Sequence, residues 1–112
     1  RLHDEAFVMC GKLRHDRQSG AFYLDEQPLD LTPREQAMLQ ALIARPGHAV
    51  TKEKLFSLVF SDEKQSRLEA VEVVAHRLRK KLAGTQTTLM TLRGLGYLLR
   101  EETHTALPDE ET

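Results

Sequence analysis

The quartet Thr32-Pro33-Arg34-Glu35 divides this chain into two kinds of pattern. A hydroxyl residue at an N-cap, proline at the first helical position and glutamate three residues past the cap make a strong helix start. The threonine oxygen accepts an orphan amide while the carboxylate reaches back to the amide of the cap. After it, apolar residues recur at helical spacing. Before it, polar and apolar residues alternate in short runs.

Phe7-Val8-Met9, Lys12-Leu13-Arg14 and Ala21-Phe22-Tyr23-Leu24 read as short antiparallel strands. Turn formers separate them: Gly11, Ser19-Gly20, and Asp25-Glu26-Gln27-Pro28. Leu29-Asp30-Leu31 is expected to close a four-stranded sheet. The first helix carries Met38, Leu39, Leu42 and Ile43 on one face and stops at Arg45-Pro46-Gly47. A brief extended piece, His48-Ala49-Val50, leads to a second N-cap at Thr51 and a shorter helix with Leu55, Leu58 and Val59. Residues 61–66 are polar and read as a loop. A third helix runs from about Leu68 to Ala83, with Val71, Val74, Ala75, Leu78 and Leu82 as its inward stripe and Gly84 just past its last turn. Leu89 to Arg93 and Tyr97 to Arg100 flank Gly94-Leu95-Gly96 and predict a hairpin.

At 112 residues this is one domain, α+β in class. Residues 1–101 are expected to form the folded unit and 102–112 an acidic, solvated tail. No apolar run approaches the roughly 18 to 20 residues of a membrane span, and no signal region opens the chain. The expectation is a cytoplasmic protein without a membrane partner. A lone cysteine, Cys10, allows no internal disulfide and no thiolate metal cage, which fits a reducing compartment. The chain begins at Arg1 and not Met, which suggests a preceding segment.

Catalysis finds no support. The five histidines are scattered without a His-x-x-x-His pair, Gly94 and Gly96 open no helix as a phosphate loop must, and no serine has a nucleophile-elbow context. No metal, cofactor or catalytic residue is assigned.

The net charge of -1 conceals a separation. Residues 67–100 hold seven Lys/Arg against two Asp/Glu, a local +5, while residues 101–112 hold five Asp/Glu and no Lys/Arg. A basic block on one helix and one hairpin points to a polyanionic partner. With the apolar stripe of the third helix inward, Glu72, Val73, His76, Arg77, Arg79 and Lys80 face solvent. Such a helix fits a DNA major groove, where Arg77 can donate two hydrogen bonds to guanine and Val73 can meet a thymine methyl. Glu72 is placed to fix His76 or Arg77, or to accept from cytosine. Arg93, at the hairpin tip, can reach a neighbouring minor groove. The alternative is a protein-interaction module whose basic helix meets an acidic partner or is merely solvated, because cations near a helix C-terminus are favourable in any case.

The segments LTPREQAMLQALIARPG, VTKEKL, AVEVVAHRLRKKL and TLRGLGYLL together resemble the winged-helix effector domain of the OmpR/PhoB class of bacterial response regulators. The similarity spans about Phe7 to Arg100. The resemblance implies a four-stranded N-terminal sheet, three helices and a C-terminal hairpin wing that bind double-stranded promoter DNA. It also implies a receiver domain in the same chain ahead of Arg1, a sensor histidine kinase acting through that receiver, and tandem dimers on direct repeats. By position, Val73, His76 and Arg77 fall where the family reads bases, with Glu72 beside them. Arg67, Arg79, Lys80 and Thr91 fall at or near backbone contacts, and Arg93 at the minor-groove arginine. The loop with Asp62, Glu63 and Lys64 corresponds to the segment through which some members touch RNA polymerase. Where many members carry Trp-Gly at the end of the second helix, this chain has Phe60-Ser61.

Overall fold

Residues 7–61 and 67–102 are described by a computed structural model of the chain. Four short strands come first: β1 (Phe7–Cys10), β2 (Leu13–Asp16), β3 (Phe22–Leu24) and β4 (Gln27–Pro28), paired antiparallel in the order β1-β2-β3-β4. Leu13, His15 and Phe22 supply the buried face. The fourth strand corrects the sequence reading, which placed it at Leu29-Asp30-Leu31. Pairing occurs earlier, at Tyr23 with Pro28 and Leu24 with Gln27, because the chain reverses within Asp25-Glu26. Both turn residues hold positive φ, 50° and 72°, although neither is glycine. Leu29 then only donates its amide to the Phe22 carbonyl.

Helix α1 (Pro33–Ile43) starts as its sequence requires. The Glu35 amide donates to Thr32 Oγ1 at 3.2 Å, and the Thr32 amide donates to Glu35 Oε1 at 2.9 Å. Met38, Leu39, Leu42 and Ile43 are fully buried. Val50 pairs with Tyr97 in an isolated bridge, and Thr51 then caps α2 (Lys52–Val59), accepting from the Lys54 amide. Helix α3 (Ala70–Lys81) is shorter at both ends than its periodicity predicts, since residues 68 and 69 form a turn and Leu82 is the C-cap. Its inward stripe is the expected one: Val71, Val74, Ala75, Leu78 and Leu82 are all buried. Truncating a fully buried leucine such as Leu78 to alanine removes about 2 to 5 kcal/mol from a core of this kind.

The chain ends its described course in a hairpin, β5 (Thr87–Leu92) and β6 (Gly96–Glu101), joined through Arg93-Gly94-Leu95. Its base is tied to the N-terminal sheet by Thr87 Oγ1, which donates to the Cys10 carbonyl at 2.9 Å. One core collects residues from all these parts, including Cys10, Phe22, Leu39, Leu55, Leu78 and Leu99. This is a winged helix, α+β, with the three helices between a four-stranded sheet and a two-stranded wing. No described helix is long and apolar enough to cross a membrane. The expected acidic tail lies outside the described residues from residue 103 onward.

Candidate nucleic-acid interface

Helix α3 is amphipathic in composition and in placement. With its valine and leucine stripe against α1 and α2, Glu72, Val73, His76, Arg77, Arg79 and Lys80 are exposed, as the wheel predicts. Val73, in the first turn, is 50% exposed and adds an apolar contact point to this otherwise polar arc. Arg79, Lys80 and Lys81 occupy the last turn, where the helix dipole favours cations.

The exposed arc divides into two flanks. Toward the wing, Glu72, His76 and Arg79 line a groove of about 660 Å³ whose far wall is Thr91, Arg93 and Leu95. Toward α1, Val73 and Arg77 line a smaller groove of about 430 Å³ with Pro33, Arg34 and Phe60. The Arg34 guanidinium stacks over the Phe60 ring at 4.4 Å from its centre. The structure therefore brings His76, Thr91 and Arg93 to one groove and sets Val73 and Arg77 on the adjoining side of the same helix. Arg77, Lys80 and Arg93 have no hydrogen-bond or ion-pair partner among the described residues. Arg67 is exposed just ahead of α3.

Three polar ties were invisible to sequence spacing. Glu72 does not fix His76 or Arg77: its Oε2 accepts from Lys52 Nζ at 2.6 Å, across from the first turn of α2. The hydrogen bond to Glu72 raises the Lys52 pKa, against the opposing effect of desolvation. Arg79 bonds to β5 through Leu89 and Thr91. Lys81 donates to Glu35 Oε1 at 2.7 Å and to the Asp30 carbonyl at 3.1 Å, so the α1 capping carboxylate also anchors the end of α3. Burial acts to raise the Glu35 pKa, but the bonds from Lys81 and Thr32 and the Lys81 charge outweigh it and hold the carboxyl below its ordinary value.

The wing is also held close to its turn. Val50 and Tyr97 exchange amide hydrogen bonds of 2.8 and 2.9 Å, and Tyr97 is buried, which raises its phenol pKa. Among the described residues no group of three or more His, Cys, Asp or Glu is arranged to hold a metal ion. Asp62, Glu63 and Lys64, the residues matched to a polymerase-contact loop, lie outside the described residues.

A protein-family model described as "Transcriptional regulatory protein, C terminal" matches residues 26–99. The transcriptional regulatory protein TctD of Salmonella typhimurium is 49% identical over 85 residues, 76% of this chain and 37% of TctD. The transcriptional regulatory protein PmrA of Pectobacterium parmentieri is 38% identical over 92 residues, 82% of this chain and 40% of PmrA. The chain thus spans well under half the length of either relative. Among solved structures, the DNA-binding domain of CpxR from E. coli superposes with a TM-score of 0.74 at 26% identity, over 87% of this chain and 98% of that one. The AdeR DNA-binding domain, solved in complex with an intercistronic region, superposes with a TM-score of 0.71 at 26% identity, over 84% and 98% of the two chains.

Proposed function

The chain belongs to the family of C-terminal, winged-helix DNA-binding domains of OmpR/PhoB-type transcriptional regulators, and from that premise we propose that it reads promoter DNA with α3 in the major groove and the β5–β6 tip at the neighbouring minor groove. The observation that carries this reading is the outward arc of Val73, His76, Arg77 and Lys80 standing beside Arg93 across an open groove. Val73 meets a thymine methyl, Arg77 reads guanine O6 and N7, and His76 donates or accepts at a base edge. Glu72 accepts from cytosine N4 where its tie to Lys52 permits. Lys80 and Arg67 neutralise phosphates, and Arg93 enters the minor groove, where a narrow, strongly negative A·T tract favours it.

A single module of this kind covers about 600 to 1,000 Å² of DNA-facing surface, too little for high affinity alone. Two copies on direct repeats supply the rest, brought together in the longer protein by a receiver domain under a sensor kinase in the cytoplasm, with RNA polymerase as a further partner of the bound pair. Selection from random duplexes followed by footprinting identifies the site and its repeat spacing. On the selected duplex Arg77→Ala loses about 1 to 3 kcal/mol and relaxes one base position, whereas Lys80→Ala weakens every sequence alike. Equal losses on selected and random DNA for both variants would overturn these roles.

A further inference from the structure

Arg79 sits in a run of cations on the exposed side of α3, yet its guanidinium is already engaged within the protein. Nε donates to the Leu89 carbonyl at 3.0 Å and Nη2 to Thr91 Oγ1 at 2.9 Å. Both acceptors belong to β5. Its neighbours Arg77 and Lys80 make no such bond among the described residues. A planar guanidinium holding two acceptors of another element fixes both a distance and an angle, which a lysine ammonium cannot do.

The pattern of β5 shows where the tie acts. Thr87 and Leu89 point into the core and are buried; Thr91 continues the same face past the edge of the core and is exposed. Beyond Leu89 that face continues in Thr91, which stands opposite the buried Tyr97 of β6, and Arg93, two residues past Thr91, is in the tip. Strand β6 is secured separately next to the turn, where Tyr97, opposite Thr91, pairs with Val50. The two ties act on the two strands of one hairpin, and the Arg79 tie joins it to α3.

Resting on the DNA-binding reading of this face, we infer that Arg79 is a positioning residue, which by bonding Leu89 and Thr91 fixes the span between α3 and the hairpin tip and so sets the register between major-groove reading by Arg77 and minor-groove reading by Arg93. This differs from the phosphate contact that family position implies for Arg79 and Thr91.

The 112-residue chain, with the duplex it selects and versions altered at single base pairs, tests this. Thr91→Val removes the acceptor and leaves every charge in place. Arg79→Lys keeps the charge and loses the fork. Each is expected to cut the preference for wing-side base pairs about three- to tenfold, the range one net hydrogen bond supports, while preference at the Arg77 position and the slope of log affinity against log salt stay at wild-type values. The double variant is no worse than Arg79→Lys alone, because that change already removes the bond Thr91 would accept. In the free chain, the Arg79 Nη2 protons exchange slowly with solvent in wild type and faster in Thr91→Val, while Nε–H, held by the Leu89 carbonyl, stays slow in both. A phosphate-contact role would instead leave Thr91→Val with wild-type selectivity, and Arg79→Met would then weaken all duplexes alike with a salt slope reduced by about one; that result overturns the proposal. A chain that selects no duplex overturns the DNA reading and the register role with it, and the guanidinium N–H exchange still reports whether the tie itself exists.

Discussion

His15 lies buried on the inner face of the N-terminal sheet, its ring stacked on Phe22 with centres 4.2 Å apart. Its Nε2 has no hydrogen-bond partner among the described residues. Burial lowers the imidazole pKa; Asp16 pulls it up and Arg17 pushes it down. The unfolded chain therefore binds this proton more readily than the native one. The stability contributed by the neutral ring is complete above pH of about 6.5 and is lost as pH falls from there through the lowered native value. Urea midpoints measured at pH 7.5 and 5.5 should fall for wild type and stay nearly level for His15→Phe, which keeps the stack and removes the titration. A variant as acid-sensitive as wild type would refute this assignment. Glu35 acts in a separate window, because its depressed carboxyl gives up stability only below about pH 4.3.

At the scale of elements, the wing turn sets two glycines apart. Gly94 has φ of +79° and nothing within 4 Å of where a Cβ would stand. Gly96, at φ of +128°, would place a Cβ 2.0 Å from the Val50 carbonyl oxygen. Gly94→Ala should thus cost only the conformational penalty, about 1 to 2 kcal/mol. Gly96→Ala should cost more and strip hydrogen-exchange protection from the Val50 and Tyr97 amides, because the bridge between them must open. Equal costs for the two variants would contradict the close approach. These elements also mark how far sequence reading reaches. The α1 start was legible since its capping box spans four residues, and the α3 stripe since five buried side chains recur on one helical face. Strand β4 was not, because two residues carry no periodicity and its turn uses Asp25 and Glu26 where glycine is the usual signal. At the interface, the outward arc of α3 could be drawn from a wheel. The bonds of Lys52 to Glu72 and of Lys81 to Glu35 could not, since each joins residues 20 and 46 positions apart. Lys81 looks on the wheel like one more exposed cation and is in fact an anchor.

Across the whole molecule, charge is arranged so that a nearly neutral chain carries a strongly basic edge. The segment 67–100 holds seven Lys/Arg against Glu69 and Glu72, and Lys52 covers Glu72 from the neighbouring helix. The Glu72 carboxylate is thereby neutralised beside an approaching phosphate backbone, while Lys80 and Arg67 remain exposed to it. Whatever binds this edge must be identified by its response to ions. Duplex DNA surrounds itself with condensed counterions, and each phosphate neutralised releases part of that atmosphere, giving a slope of about -0.9 per contact in log affinity against log salt. Three to five contacts predict a slope between about -2.7 and -4.5, and so about a 40- to 500-fold loss between 50 and 200 mM salt. An acidic protein partner offers no condensed layer and few exposed pairs worth more than about 1 kcal/mol, so its salt dependence is shallow. Titrating the chain with a fixed duplex over that salt range separates the two. A slope near zero would identify the basic edge as a protein-docking surface, and an equally steep slope for Lys80→Ala would remove that lysine from the set of phosphate contacts.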